Sequence, residues 1–345
     1  MGVAASWTAW IPSTLCALEA KRSIEQLFEL LPDCSNDVGL ECALAEPGIL
    51  HGVGLAITQK DPATRNLLPT TADLRLHRLA IRSATWRRLS AWILLWLFGN
   101  SRALRQRVPF LFLEFDPGAN WENAPAIFVA LDWPLEELHP ELRQQAPFAV
   151  PGFQLILQVL ALLGRRARGA EPHQLARCWQ ALPEGGAWAH VGVFSSRPRA
   201  GPRISMLVPR AGVAEYLSRI APGVDGAALE ATIERFAAHC QSDHPNQRVP
   251  IDLDVGENVA PRIGIALLPT RPEGWSGLFD ALVQAGLCHR LCAGAALAWK
   301  DQGTVATTTG RFLSPYLSHV KLVIEGASKP IGSKLYFGIR NRAAL

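Results

Sequence analysis

The sequence predicts an α+β fold in which ten antiparallel strands close into a barrel coated by helices. Three observations carry this reading. Five segments alternate with period two, and each contains a Gly/Pro break that folds it back into a hairpin. Between them, apolar residues recur at helical spacing, as in Ile233, Phe236, Ala237 and Cys240. Where the strand faces can be read, one is aliphatic and the other is charged or very small.

The elements follow in five repeats. Residues 1–20 precede them as an N-terminal extension. The first repeat, 21–58, has a helix over 21–31 and a hairpin over 38–58 that turns at Pro47-Gly48. The second, 72–133, has a helix over 72–98 and a hairpin over 110–133, broken at Pro117-Gly118 and Pro125. The third, 152–208, has helices over 152–168 and 172–182 and a hairpin over 189–208, broken between Pro198 and Pro202. The fourth, 211–268, has helices over 212–220 and 227–240 and a hairpin over 250–268. The fifth, 273–340, has helices over 273–286 and 289–299 and a hairpin over 319–339. Hairpins beginning at residues 38, 110, 189, 250 and 319 make a structural period within one domain.

The strand faces argue for closure. Ile251, Leu253 and Val255 oppose Asp252 and Asp254; Ile263, Ile265 and Leu267 oppose Arg262, Gly264 and Ala266. Val320, Leu322 and Ile324 oppose Lys321, Val323 and Glu325, and Leu335, Phe337 and Ile339 oppose Lys334, Tyr336 and Gly338. Val53, Leu55 and Ile57 oppose Gly52, Gly54 and Ala56, while Leu113 and Phe115 oppose Glu114 and Asp116. Helices cover the aliphatic face. A flat ten-stranded sheet would leave two edges exposed, and closing it removes them. About ten strands leave a lumen wider than side chains alone fill, which inward glycines widen further. The competing arrangement is an open antiparallel sheet with its charges solvated.

Composition excludes other classes. Of 345 residues, 49% are hydrophobic and 19% charged, enough apolar surface to offset the entropy of ordering. Neither a Gly period nor a heptad is sustained. A net charge of +4 argues against a dedicated nucleic-acid binder. No basic, apolar secretory leader opens the chain. The most apolar run, 91–98, is about half the length of a membrane span and reads as a buried helix end. Seven widely spaced cysteines read as reduced thiols in a cytoplasmic protein. Cys288 and Cys292, around His289, lack a second ligand pair and read as packed thiols rather than a zinc site.

Five consecutive helix–hairpin units with Ser333-Lys334-Leu335-Tyr336 on the last strand resemble the ABBA (PT-barrel) prenyltransferases. That group includes aromatic prenyltransferases and the cyanobactin peptide prenyltransferases, and the resemblance spans nearly the whole chain. It implies transfer of an allylic isoprenoid, of dimethylallyl or geranyl type, from its diphosphate to an aromatic small molecule or a peptide side chain. By the same resemblance Lys334 and Tyr336 hold the diphosphate, Lys321 faces them, and Arg203 and Arg262 supply further inward cations. Glu41 resembles the acidic residue on the first strand that acts as base toward the acceptor, with Glu46 and Glu114 as rivals. GVGLAI and AIFVAL, the second strands of the first two repeats, carry no Arg or Lys where family members often place another cation.

The chemistry asks for these residue types independently. Ionising an allylic diphosphate builds charge on the leaving group, which convergent Arg, Lys and Tyr donors stabilise. A lumen sealed from water protects the carbocation, aromatic faces stabilise it, and a carboxylate takes the acceptor's proton. Asp252 with Asp254, or Glu114 with Asp116, offers oxygen ligands for Mg²⁺ bridging the diphosphate, against a plainer role as charge balance for nearby Arg and Lys. His51, His190 and His319, at strand starts, read as surface or capping residues ahead of acid-base groups, and Trp121, Trp133 and Trp188 as wall or packing residues. No Walker loop, nucleophile elbow, HExxH or complete Rossmann fingerprint occurs. The alternative function is a non-catalytic barrel that binds a peptide or apolar ligand.

Overall fold

The computed structural model describes residues 7–31, 34–68, 74–117, 125–133, 141, 147–165, 169–194, 201–221, 223–240, 248–306, 311–326 and 330–343. Its strands are β1 (Asp37–Ala43), β2 (Leu50–Thr58), β3 (Phe110–Phe115), β4 (Ala126–Ala130), β5 (Ala187–Val193), β6 (Arg203–Pro209), β7 (Arg248–Val255), β8 (Val259–Leu267), β9 (Val305–Ala306), β10 (Arg311–Glu325) and β11 (Pro330–Ala343). All described pairings are antiparallel and run in chain order, except that the two-residue β9 hangs on the far end of β10. The sheet closes because β11 pairs with β10 on one side and with β1 on the other, Gly39 opposite Gly338. Ten strands therefore form a barrel, and the open-sheet alternative is overturned.

Helices form the outer layer. They are α1 (Leu18–Leu30), α2 (Leu74–Arg82), α3 (Ala84–Phe98), α4 (Arg102–Arg107), α5 (Pro151–Leu162), α6 (Glu171–Gln180), α7 (Val213–Ile220), α8 (Gly226–Ala237), α9 (Pro272–Gln284) and α10 (Arg290–Asp301). The helix expected over 72–98 is two helices, because Ser83 leaves helical geometry and its Oγ caps the Trp86 N–H. At the end of α3, Trp92, Ile93 and Trp96 are buried, whereas Leu94, Leu95 and Phe98 face out. The apolar run is thus amphipathic in place, not wholly buried. Among the described residues no helix is long and apolar enough to cross a membrane. The extension also joins the core, with Trp7, Ile11 and Leu15 buried.

The core lies between strands and helices. Outward side chains such as Val53, Ile204, Ile251, Ile265 and Leu335 are fully buried. Aromatic rings join the layers: Trp188 of β5 packs against Phe153 of α5 and Trp179 of α6, and Trp299 of α10 meets Phe337 of β11 edge-on at 5.6 Å. A bulge at Ala189 turns Trp188 outward although it shares sequence parity with the inward His190. A second bulge at Ser318 does the same for Leu317 against His319. The fifth hairpin begins eight residues earlier than expected. Pro315 interrupts the pattern there, yet it is tolerated because β8 pairs only with Val320 onward and leaves that stretch of β10 an edge. Trp121 and the turn around Pro198 lie outside the described residues.

Because the Trp188 side chain is fully enclosed, Trp188→Ala should lower the unfolding free energy by about 3–5 kcal/mol in urea titrations.

Candidate active site

Inside the barrel, strand register decides which side chains meet. Lys321 of β10 and Lys334 of β11 stand directly opposite each other. Like charges in that position repel, so each needs an anion. They reach in opposite directions to find one. Lys334 Nζ donates to Glu41 Oε1 at 2.5 Å, while Lys321 Nζ lies 2.5 Å from Asp252 Oδ2 and donates to the Tyr336 hydroxyl at 2.8 Å. Tyr336 in turn donates to Glu41 Oε2. His319 stacks on the Tyr336 ring with centroids 4.2 Å apart.

Asp252 is two strands from Lys321, and the intervening residue explains how they meet. At Gly264 of β8 a Cβ would stand 2.9 Å from Lys321 Cδ and 3.3 Å from Asp252 Cβ. The lysine stem crosses the space that any other residue would occupy. One rung away, Arg203 grips Asp254 through two hydrogen bonds of 2.7 and 3.0 Å, with its guanidinium 4.6 Å from the Phe194 ring centroid. Farther along β11, Arg340 pairs with Asp37.

Glu41, Arg203, Arg262, Lys321, Lys334, Tyr336, Asp252 and Asp254 all line one cavity, with Glu114 and the exposed His51. Arg262 is exposed at its rim. Asp116, just past β3, is not among the lining residues. The free space at this charged end of the lumen is about 110 Å³. A Cβ at inward Gly54 would meet only the Gly39 carbonyl oxygen, at 3.8 Å, but elsewhere side chains of neighbouring strands lean over an inward glycine, as at Gly264. Gly52 shows it again, because a Cβ there would meet Glu114 Cγ at 3.5 Å and Glu41 Cβ at 3.7 Å.

Four lining cations face four lining carboxylates. Burial pulls the Glu41 carboxyl up, but the Lys334 and Lys321 ammoniums and the hydrogen bonds from Lys334 and Tyr336 outweigh it and hold it at about 2. Burial also opposes ionisation of Asp252, and Lys321 and Arg203 again prevail to lower it. Glu114 is the contrast. Burial and the Glu41 carboxylate push it up to about 7, and among the described residues it has no hydrogen-bond or ion-pair partner.

Opposite the charged half, Phe112 of β3 and Phe128 of β4 share a rung, and Phe110, Phe112 and His190 pack ring against ring. His190 and His319 are thus lumen residues, not surface or capping ones. Burial, with the Lys321 charge, pushes His319 down to about 3 and lowers His190, so both are neutral at pH 7. The parity of Val191 and Val193, buried outward, is the sequence signal for His190.

Asp252 and Asp254 are engaged as counter-ions of Lys321 and Arg203, and among the described residues no three His, Cys, Asp or Glu gather as a metal site. The pair does not fit a protein-held Mg²⁺. Cys288 and Cys292 are buried free thiols, as are the other five cysteines.

Two consequences can be measured. Both members of the Lys321–Asp252 pair are mostly buried, with 14% and 16% of their side chains exposed. Lys321→Met should cost about 3–5 kcal/mol in urea titrations, and adding Asp252→Leu should recover most of it. Between pH 4.5 and about 7, folded protein keeps a proton on Glu114 that the unfolded chain has released. Stability therefore falls as pH rises through that window, so Glu114→Gln should gain about 3 kcal/mol relative to the parent protein between pH 4.5 and pH 8. Glu41 has the opposite sign: it stabilises above the ordinary carboxylate range, and that contribution is lost as pH falls toward 2.

No protein-family model matches the chain, and no curated protein matches it in sequence. Solved structures do. A 6-dimethylallyltryptophan synthase from Micromonospora olivasterospora, in complex with DMASPP and Trp, aligns with a TM-score of 0.50 and 16% identity over 92% of this chain and 90% of that one. A 6-dimethylallyl tryptophan synthase aligns at 0.54 and 15%, over 96% and 93%. The prenyltransferase PriB, in ternary complex with L-tryptophan and dimethylallyl thiolodiphosphate, aligns at 0.53 and 12%, over 98% and 94%. At these identities the likeness is one of fold, and the closed ten-stranded barrel with helices outside is the PT-barrel fold.

Proposed function

We propose that the chain is a prenyltransferase that moves an allylic isoprenoid from its diphosphate to an aromatic small molecule or a peptide side chain. The observation that carries this is the convergence of Lys321, Lys334, Tyr336, Arg203 and Arg262 on one cavity of a barrel whose opposite strands carry aromatic rings. The fold shared with proteins named as tryptophan prenyltransferases supports it.

In this reading the diphosphate takes the place of Asp252 on Lys321 and of Asp254 on Arg203. Its oxygens accept from Lys321, Lys334 and Arg203 beside the Tyr336 ring, and these cations stabilise the charge that builds as the allylic C–O bond breaks. The protein's cations do this work without a metal held by Asp252 and Asp254. Phe112 and Phe128 offer π faces to the allylic cation, and the closed barrel limits water around it. Glu41 anchors Lys334 and Tyr336. Seven buried free thiols accord with a cytoplasmic setting.

The alternative, a barrel that binds a peptide or apolar ligand without turnover, is favoured by the balance of four cations and four carboxylates and by the uncharged inward positions of β2 and β4. One assay separates the two. Protein incubated with dimethylallyl or geranyl diphosphate and L-tryptophan or a tryptophan-containing peptide should release diphosphate and yield a product heavier by one prenyl group. Lys334→Ala should reduce this by about a hundredfold or more. Tight ligand binding with no diphosphate release would select the binding protein instead.

A further inference from the structure

The two carboxylates beside Gly52 have different surroundings although their side chains lean over the same residue. Glu41 spends both oxygens, one on Lys334 and one on Tyr336. Glu114 has no hydrogen bond or ion pair among the described residues and stands on β3 two residues from Phe112, where the charged half of the lumen meets the aromatic half. Resting on the transferase reading above, we propose that Glu114, not Glu41, is the catalytic residue that takes the acceptor's proton.

The step balances. The allylic C–O bond breaks with its electron pair leaving on the diphosphate, the acceptor's nucleophilic atom bonds to the allylic carbon, and the proton released passes to a Glu114 oxygen. Position favours Glu114, which shares a strand face with Phe112 two residues away, whereas Glu41 lies on β1 across Gly52. Basicity agrees. A carboxylate held at about 2 by two ammoniums is a weak base at neutral pH, whereas a group near 7 accepts readily and is partly ionised. The charges facing Glu114 are Glu41 from β1, Arg203 from β6, Lys321 from β10 and its own neighbour Asp116, while β2 and β4 place Gly54 and Ala126 opposite it.

The test compares the parent protein with Glu114→Gln, Glu114→Asp and Glu41→Gln, using dimethylallyl diphosphate and L-tryptophan for turnover and dimethylallyl thiolodiphosphate for donor binding. Parent turnover should rise through a limb near pH 7. Glu114→Gln should lose about 10²–10⁴-fold in product formation and lose that limb, while binding the thiolodiphosphate within about threefold of the parent. Glu114→Asp, which keeps a carboxyl, should retain a limb and part of the rate, guarding against a loss caused by misfolding. Glu41→Gln should weaken thiolodiphosphate binding yet keep the limb. Turnover within about threefold of the parent in Glu114→Gln, or a limb abolished by Glu41→Gln, would overturn this assignment alone. Donor binding with no product from the parent would instead overturn the transferase reading, and the assignment with it.

Discussion

Closure of the sheet at the β11–β1 seam is the constraint from which the rest follows. An open sheet would leave its charged face in water, where Lys321, Asp252 and Glu41 would cost little. A closed one with helices outside hides that face. Burying an unpaired ammonium or carboxylate costs several kcal/mol, so each charge must find a partner across the lumen. Register then decides which partners are in reach. Lys321 and Lys334 face each other and must diverge, one over Gly264 to Asp252 and the other to Glu41.

The result is a lumen whose free energy is balanced on exchange rather than vacancy. Lys321, Lys334 and Arg203 are already engaged, so an anionic ligand that binds them replaces carboxylates instead of filling a void. A diphosphate that displaces Asp252 and Asp254 leaves them seeking solvent or protons, which weakens its net gain. Such a site binds an anion less tightly than one lined by cations alone, and it discriminates by whether the ligand restores every hydrogen bond it breaks. Glu114 gives the arrangement a buried carboxyl group whose charge is not committed.

Much of this is legible in the order of residues. Period-two alternation places Asp252, Arg262, Lys321, Lys334 and Tyr336 inward because parity carries across an unbroken strand. The same rule fails at bulges, where one extra residue reverses it, and so Trp188 points outward against the parity of His190. It also fails where a proline is tolerated only because one neighbour is missing, which conceals the first half of β10. Lumen volume escapes periodicity for another reason. A glycine reads as empty space, but Lys321 crosses Gly264 and two glutamates flank Gly52. No local pattern shows which neighbour's side chain leans over a glycine.

The hairpin repeat, the aliphatic and charged faces, and the residue types turned inward are all written in the chain alone. They depend on local periodicity, which a single sequence records. The engagement of Glu41 by Lys334 and Tyr336, with Glu114 left unpartnered among the described residues, is set instead by tertiary contact. Lys334 and Tyr336 lie 293 and 295 positions from Glu41. Their meeting depends on the last strand returning to pair with the first, and the lowered proton affinity of Glu41 follows in part from that contact.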